Sequence, residues 1–409
     1  MTNMIDFTVL SAVLNKVILP AVTSQMYQKA PMWQLIGGWS AEKQSAERAN
    51  VHVTKFDVDK IYIPVRASYH SNIVGIGVGE KYNYGDAKLK ETYQSIKTLV
   101  GSFLIPKQML NVTDKGAIVK PLVFSTQNLA NDLAMDANRQ VYGDGSGVVA
   151  TTATSGSSST TVTLAPSVNG DIDYARYLPP GTYIKIGSSA VTTVADQTGE
   201  NQITISDARS WSAGDNIVKI TGSNTTSSEL SGLESLVASS GSYQNLDASS
   251  AYIWKSYVDN TSETITPANI ENKMHSAYFK ANKIGKVDWI VMNAKAFQTY
   301  GNALASQKRF TEPKEVLSGG WIGLDYMGGN AKVLLDYDCP DDRIYFLSSE
   351  DLVFAQFQPL EWEKGTDGTL LKIAQELDYE VTASWMGNIG TVARAAHAAM
   401  ASKTFNPAG

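Results

Sequence analysis

The sequence predicts an α+β fold with a small β-rich domain inserted into it, and three observations carry that prediction. Residues 49–110 alternate apolar and polar side chains in two extended runs. Residues 122–142 repeat apolar side chains at helical spacing. The stretch 150–222 then turns rich in Ser, Thr and Gly, with short β-forming runs between turn residues. At 409 residues and 43% hydrophobic, the chain is long enough for roughly two or three domains with real cores.

Charge and cysteine content exclude several classes. Lys+Arg 34 against Asp+Glu 40 leaves a net charge of −6, whereas a chain built to grip nucleic acid usually carries a basic stripe. The single cysteine, Cys339, rules out an intramolecular disulfide and a thiolate metal cluster, and fits a reducing compartment. The apolar N-terminal stretch is broken by Asn15, Lys16 and Pro20 and lacks a basic leading region and a small-residue cleavage site, so no signal peptide is expected. No apolar run approaches the roughly 20 residues that span a bilayer, so no membrane partner is expected, and the sequons at Asn111, Asn224 and Asn260 carry no weight.

In chain order, Phe7, Leu10, Leu14, Val17 and Ile18 mark an amphipathic arm within 5–40. A second short helix is expected from Val22 to Leu35, ending at Gly37-Gly38; it is either a first core helix or an arm that packs on a neighbour. VHVTKFDVDKIYIPVRASYH and KLKETYQSIKTLVGSFLIPKQML read as the two sides of a long hairpin, with Pro64 at an edge and GIGVGEKYNYG as the tip. Its alternating charges (Lys55, Asp57, Asp59, Lys60, Arg66, Glu80, Lys81) suit a surface that meets another polar surface. GIGVGE is not a dinucleotide fingerprint: its glycines are spaced GxGxG and no helix pattern opens behind them.

Within 122–142, Ser125 or Thr126 is the expected N-cap, and Leu129, Leu133, Ala137 and Val141 form the apolar face. Gly143 is expected to end the helix in a left-handed conformation. The GDGSG that follows (Gly143–Gly147) lacks the Lys-Ser/Thr pair and following helix of a phosphate loop, and the ligand series of a calcium loop, so it reads as a hinge. Residues 150–222 read as a small barrel or sandwich, with Tyr174, Tyr177, Leu178, Ile184 and Ile186 to bury. Beyond it the texture is α/β. Thr266-Pro267 opens one helix, VDWIVMN is a buried strand, and Asn293 is the expected cap of AKAFQTYGNALASQKRF. Strand-like runs follow, and alanine propensity alone makes GTVARAAHAAMA helical.

No catalytic, cofactor-binding or metal-ligating residue is assigned, and no cofactor is expected. His52, His70, His275 and His397 are scattered without a second ligand at metal spacing. No nucleophile elbow, zinc-protease or kinase signature occurs. Asp336, Asp338, Asp341 and Asp342 cluster in LLDYDCPDDRIYF, where Pro340 and the strand behind favour a turn over a cation site. The chain reads as non-catalytic.

The ordered features together resemble one family. An apolar arm, a long charged hairpin, a helix running into NRQVYGDGSG, a β-rich insertion, SGLESL, an α/β unit with SQKRFTEPKEVLSGGWIG, and the close CPDDRIYFLSSEDL…SWMGNIGTVARAAHA are similar to tailed-phage major capsid proteins of the HK97-like fold. The resemblance implies an N-terminal arm (1–48), an E-loop hairpin and the start of a peripheral domain (49–110), and a spine helix (111–149). It further implies an inserted β-domain (150–222), an axial domain (223–335), and a return to the peripheral and axial sheet (336–409). It makes strands of 370–400 against the alanine propensity, and ELDYEVTASW alternates like one. Lys60, Arg66, Glu80 and Lys81 are the inter-subunit contact candidates.

What the resemblance implies of function is a subunit that self-assembles as pentamers and hexamers into an icosahedral shell around dsDNA, held without sequence specificity. The protein would be made in the host cytoplasm and reside in the virion. A separate scaffolding protein, a decoration protein and a portal are the further partners it implies; because the chain starts almost directly at the arm, either a separate scaffold is needed or this is already the processed form. Some relatives cross-link a hairpin lysine to an asparagine of the next subunit; Lys55, Lys60 and Lys81 are the candidate donors here, no matching asparagine context is assigned, and the bond is not predicted. Two other classes remain: a cell-surface or tail-associated adhesin binding carbohydrate through the Ser/Thr-rich unit, and a hydrolase with an unrecognised carboxylate pair.

Overall fold

The computed structural model of the chain describes residues 29–37, 52–81, 84–106, 115–221, 227–249, 251–261, 265–280, 286–305, 316–317, 321–322, 331–364, 371–372 and 378–405. The chain divides into two compact units. One comprises Met1–Asn50, Ile96–Val141 and Phe354–Asn388, the other Val51–Ser95, Tyr142–Val353 and Ile389–Gly409.

In the first unit, helix α1 (Pro31–Gly37) and the long helix α2 (Lys115–Tyr142) accompany a sheet of β4 (Lys97–Ile105), β19 (Leu352–Trp362), β20 (Leu371–Lys372) and β21 (Tyr379–Thr391). β21 is central, and its antiparallel pairing with β4 runs unbroken from Tyr379↔Ile105 to Gly387↔Lys97. Ala130, Leu133, Ala134 and Ala137 give α2 a buried face of mostly small side chains. That face lies close to the sheet at Gly101, where an added Cβ would stand 2.8 Å from Leu129 Cδ1. Trp33 of α1 meets Phe354 and Trp385 edge-on, each with ring centroids 4.9 Å apart. Asn138, fully buried, accepts the Met32 N–H on its Oδ1 at 3.3 Å.

Among the described residues the second unit holds three sheets of three or more strands and two two-stranded pairs. The first has the order β1 (Lys55–Phe56), β2 (Lys60–Arg66), β3 (Leu89–Ser95). β2 alternates strictly, burying Ile61, Ile63 and Val65. Beyond Tyr62, where Thr54 N–H still bonds its carbonyl, β2 has only β3 beside it, so Pro64 falls where the missing N–H leaves no ladder bond unmade.

The second sheet is a closed barrel of six antiparallel strands: β5 (Val148–Thr151), β6 (Gly156–Thr163), β7 (Tyr183–Ile186), β8 (Thr192–Gly199), β9 (Gln202–Trp211) and β10 (Asn216–Lys219), in the order β5-β10-β7-β8-β9-β6. Its outer strands meet through the Thr152–Leu164 bridge, with Ala165 N–H donating to Thr151 O at 2.7 Å and Ala153 N–H to Thr163 O at 2.8 Å. Closure leaves no long unpaired edge. Register shifts in three of the pairings supply the curvature, and Val162, Leu164, Ile184, Ile186, Ile203 and Ile217 fill the interior.

The small pair β11 (Ser242–Tyr243) and β12 (Leu246–Asp247) leads to the third sheet. β13 (Tyr257–Asp259), β14 (Trp289–Met292), β17 (Lys332–Leu335), β18 (Ile344–Leu347) and β22 (Ala398–Met400) run in the order β13-β22-β18-β14-β17, with parallel pairs at both edges. Between β14 and β17 lies the short pair β15 (Val316–Leu317) and β16 (Trp321–Ile322). Helices α3 (Pro267–Lys280) and α4 (Ala294–Ala305) supply Ile270, Ala277, Ala296 and Tyr300 to a core shared with Ile290, Met292, Phe346 and Met400.

Several expectations need correction. The helix expected at 122 begins at Lys115 and carries Pro121 inside it, so Ser125 and Thr126 are interior residues rather than caps. Gly143 is not left-handed; Gly145 and Gly147 are, at φ 87° and 75°. The GDGSG segment has local contacts of its own. Asp144 Oδ1 accepts from Ser146 N–H at 2.8 Å, and a Cβ at Gly147 would collide with the Ser227 side chain. The extended run 88–110 does not form one side of a single hairpin, because β3 pairs with β2 while β4 pairs with β21 in the other unit. In the alanine-rich close the strand reading holds over the helical propensity: it forms a 3₁₀ turn at Arg394–Ala396 and strand β22. Of the expected N-terminal elements, the helix 22–35 is described only from residue 29, and the stretch from Phe7 to Ile18 that marks the arm lies outside the described residues.

Candidate functional site

The hairpin stem of β2 and β3 is fastened to its own unit. Thr92 Oγ1 donates to Ile63 O at 2.7 Å, and Gln94 Nε2 donates to Ile389 O at 3.3 Å. Tyr243 OH donates to the same Ile389 carbonyl at 2.8 Å, and Gly390 leaves room for Ile63. The stem ends where Ala67 N–H donates to Lys88 O at 2.8 Å.

Past that point the apolar side chains stand in solvent. Ile73 is 85% exposed, and Val74, Ile76, Val78 and Tyr84 are exposed with it. Exposed apolar side chains along a glycine-rich tip contribute nothing to the core of their own unit. In the sequence these side chains are hidden by their setting, because Gly75, Gly77 and Gly79 make NIVGIGVG read as a plain turn.

The solvent face of the stem carries cations laid over tyrosines. Lys55 Nζ lies 5.3 Å from the Tyr62 ring centroid, Lys60 Nζ 4.9 Å from Tyr93, and the Arg66 guanidinium 4.8 Å from Tyr69, with the Tyr62 and Tyr93 rings 6.1 Å apart. Of the four contact candidates, Lys60 and Arg66 belong to this row. Glu80 instead folds onto its own turn, where its Oε2 accepts the Gly77 N–H at 2.8 Å, and Lys81 is exposed near the tip. The four are spread from stem to tip rather than gathered at one point.

The acidic run 336–342 is a tying point for its unit. Asp336 Oδ2 accepts from Tyr142 OH at 2.7 Å, and Asp338 Oδ1 accepts from Arg176 Nη2 at 2.5 Å and Tyr177 OH at 2.7 Å. Asp341 Oδ2 accepts from Asn169 N–H at 2.8 Å and Asp171 N–H at 3.3 Å. These carboxylates are turned to protein donors, and no group of three or more His, Cys, Asp or Glu among the described residues is placed to hold a metal ion. Burial, with Asp336 beside it, pushes the Cys339 thiol well up, so it stays protonated and inert.

Two other ionisable groups are structural. Burial pushes His397 down to about 3; its Nδ1 accepts the Ser348 N–H at 3.3 Å, so Nε2 carries the proton toward Thr391 Oγ1 at 3.0 Å. Burial would raise Asp259, but hydrogen bonds from Thr261 and the ammonium groups of Lys273 (3.0 Å) and Lys403 (3.3 Å) hold it well below the usual carboxylate range. Among the described residues no helix is long and apolar enough to cross a membrane.

No protein-family model and no curated protein matches the chain. Solved structures do. The chain is similar to one from the cyanophage A-1(L) capsid asymmetric unit, at 13% identity over 92% of this chain and 93% of that one, with a TM-score of 0.54. It is also similar to a chain from the capsid of the native GTA particle, at 10% identity over 88% and 89%, with a TM-score of 0.44. A chain of the virus-like particle from Pyrococcus furiosus aligns at 9% identity over 94% and 98%, with a TM-score of 0.40. At such identity the first of these likenesses speaks for the fold, and along nearly its whole length the chain has the mixed α+β fold of a phage capsid subunit.

Proposed function

We propose that this chain is the major capsid protein of a tailed bacteriophage, a non-catalytic shell subunit that self-assembles as pentamers and hexamers into an icosahedral container for dsDNA. The observation that carries the proposal is the fold shared with a cyanophage capsid chain over 92% of this chain and 93% of that one. The hairpin supports it, because its stem is buried in its own unit while its apolar tip is left for another copy to cover. In this reading the tip beyond Ala67 and Lys88 is the E-loop, α2 is the spine helix, and the five-stranded sheet with α3 and α4 is the axial domain. The barrel is the inserted domain in this reading, supported by the pairing of its first and last strands, β5 and β10. Lys60, Arg66, Glu80 and Lys81 are its candidate contacts with neighbouring subunits.

A shell subunit needs many repeated interfaces of ordinary size rather than one strong one, and avidity does the rest. The net charge of −6 suits a container that must let its polymer go, and DNA would be held without sequence specificity. A scaffolding protein, a decoration protein and a portal complete the expected partners. The protein is made in the host cytoplasm and resides in the virion, with no membrane step. Negative-stain imaging of the purified protein tests the reading. Closed shells, or free pentamers and hexamers, are expected; dispersed monomers that bind glycan would overturn it in favour of an adhesin.

A further inference from the structure

The loop 166–173 contains the one Asn-Gly pair in the sequence, Asn169-Gly170. We propose that Asn169 is a latent deamidation site, shut by the docking of its own loop onto the 341–342 turn and the 403–405 segment, so that its conversion is a one-way record of that loop having opened. The inference stands apart from the shell reading, since it concerns contacts inside a single unit.

The chemistry needs no enzyme. The Gly170 backbone nitrogen attacks Asn169 Cγ, a new C–N bond forms, and the side-chain nitrogen departs as ammonia, taking up the proton that Gly170 N–H loses. Water then opens the resulting succinimide at either carbonyl, giving aspartate or, with the main chain rerouted through Cγ, isoaspartate. The balance is one water in and one ammonia out. Glycine in the second position favours the attack because no Cβ crowds its nitrogen.

In the folded chain every reacting group is engaged. Asn169 Nδ2 donates to Asp341 O at 2.6 Å and Lys403 O at 3.0 Å, and its Oδ1 accepts from Phe405 N–H at 2.8 Å. Gly170 N–H, the nucleophile, donates to Ser167 O at 3.1 Å. The flanking backbone is pinned as well: Asp341 Oδ2 receives Asn169 N–H, and Asp171 binds both Lys295 N–H (3.2 Å) and Lys295 Nζ (3.2 Å). Attack on Cγ requires the amide to leave three partners and Gly170 N–H to leave a fourth. Once converted, residue 169 presents a carboxylate to the carbonyl oxygens of Asp341 and Lys403, which it cannot serve as donor, next to the Asp341 carboxylate. Redocking is then disfavoured.

Peptide mapping by mass spectrometry, with isoaspartate detection, tests this on the full chain held at mildly alkaline pH, folded or in concentrated urea. Conversion at residue 169 is expected to be slower in the folded protein by about tenfold or more, because only the opened fraction reacts. In Asp341→Asn, which weakens the backbone anchor, the folded-state rate should rise several-fold. Equal rates in folded and urea-treated chains, no conversion in urea, or an unchanged rate in a folded Asp341→Asn would each overturn the proposal. Should that variant not fold, Asn169→Asp serves instead: proteolytic nicking within 166–173 is expected in it and not in the parent, and identical nicking in both overturns the proposal.

Discussion

Arg394 takes its guanidinium into the interior of its unit and places it against carbonyl oxygens. Nε donates to Leu236 O and Nη1 to Gly241 O, each at 2.9 Å, while Nη2 donates to Ser235 O at 2.9 Å and Ser240 O at 3.2 Å. Burial pushes its pKa down to about 10, still charged at neutral pH. The planar fork collects carbonyls that point different ways, which a lysine could not match. Arg394→Met should therefore lower stability by about 3 kcal/mol, read as a fall in the urea midpoint with an unchanged slope. His397 gives a pH dependence with a definite sign. Unfolded, the imidazole titrates near 6.5; folded, it stays neutral down to about 3. Between those values the unfolded chain binds the extra proton, so stability is whole above about pH 6.5 and declines as pH falls toward 3. At pH 5 the deficit is about 2 kcal/mol. Asp351, raised by burial, acts in the opposite sense, so the test is a difference: the loss of Tm from pH 7 to pH 5 should be smaller in His397→Asn than in the parent. A loss of equal size in both proteins would remove His397 from the account. Neither role was legible in the sequence, where both residues sit in an alanine-rich run: Arg394 finds its carbonyls at 235–241 and His397 its backbone donor at Ser348, far away along the chain.

At the scale of elements, helix α4 shows what decides a cap. Asn293 stands at the right place in sequence, and its carbonyl does accept the Phe297 N–H at 2.9 Å. Its side chain, however, turns away to donate to Cys339 O at 2.8 Å. The Lys295 N–H is taken by Asp171 Oδ2, from 124 residues earlier in the chain. Asp171→Ala should thus cost about 1–2 kcal/mol, the worth of a charged cap at a helix N-terminus, measured by chemical denaturation. A change below a few tenths would mean that the helix end is served by solvent. Thr266 is the contrasting case: its Oγ1 accepts the Asn269 N–H at 3.2 Å, as the Thr266-Pro267 pair foretold. The same division runs through the fold. Alternation in TYIKIG, NQITISD and DNIVKITG put Ile184, Ile186, Ile203, Ile205 and Ile217 inside the barrel, because a period of two depends on neighbours alone. The helix starting ahead of Pro121, the split between β3 and β4, and the strand at 398–400 depend on tertiary partners, and local propensity pointed elsewhere for each.

For the molecule as a whole, the question is which part of the hairpin belongs to the subunit and which to its neighbours. Ile61, Ile63 and Val65 are fully buried, so removal of β2 would open the subunit's own core and reveal nothing about assembly. The informative cut is shorter. The backbone bonds from Ala67 and Ser68 to Lys88 close the stem, and everything between them is tip. Replacing 69–87 with a two-residue Asn-Gly turn keeps those bonds and removes Ile73, Val74, Ile76, Val78 and Tyr84 together. Such a subunit should unfold within about 1 kcal/mol of the parent, because the deleted apolar side chains are exposed and contribute little to the isolated fold. It should be more soluble, having lost an exposed apolar cluster. Assembly should fail, with light scattering and electron microscopy finding free subunits or capsomers where the parent forms shells. Normal shells from the shortened chain would show that the tip is dispensable, and the contact surface would then have to be sought on the cation-bearing face of Lys55, Lys60 and Arg66. A shortened chain that no longer folds would mean that the tip serves its own subunit, which its exposure argues against.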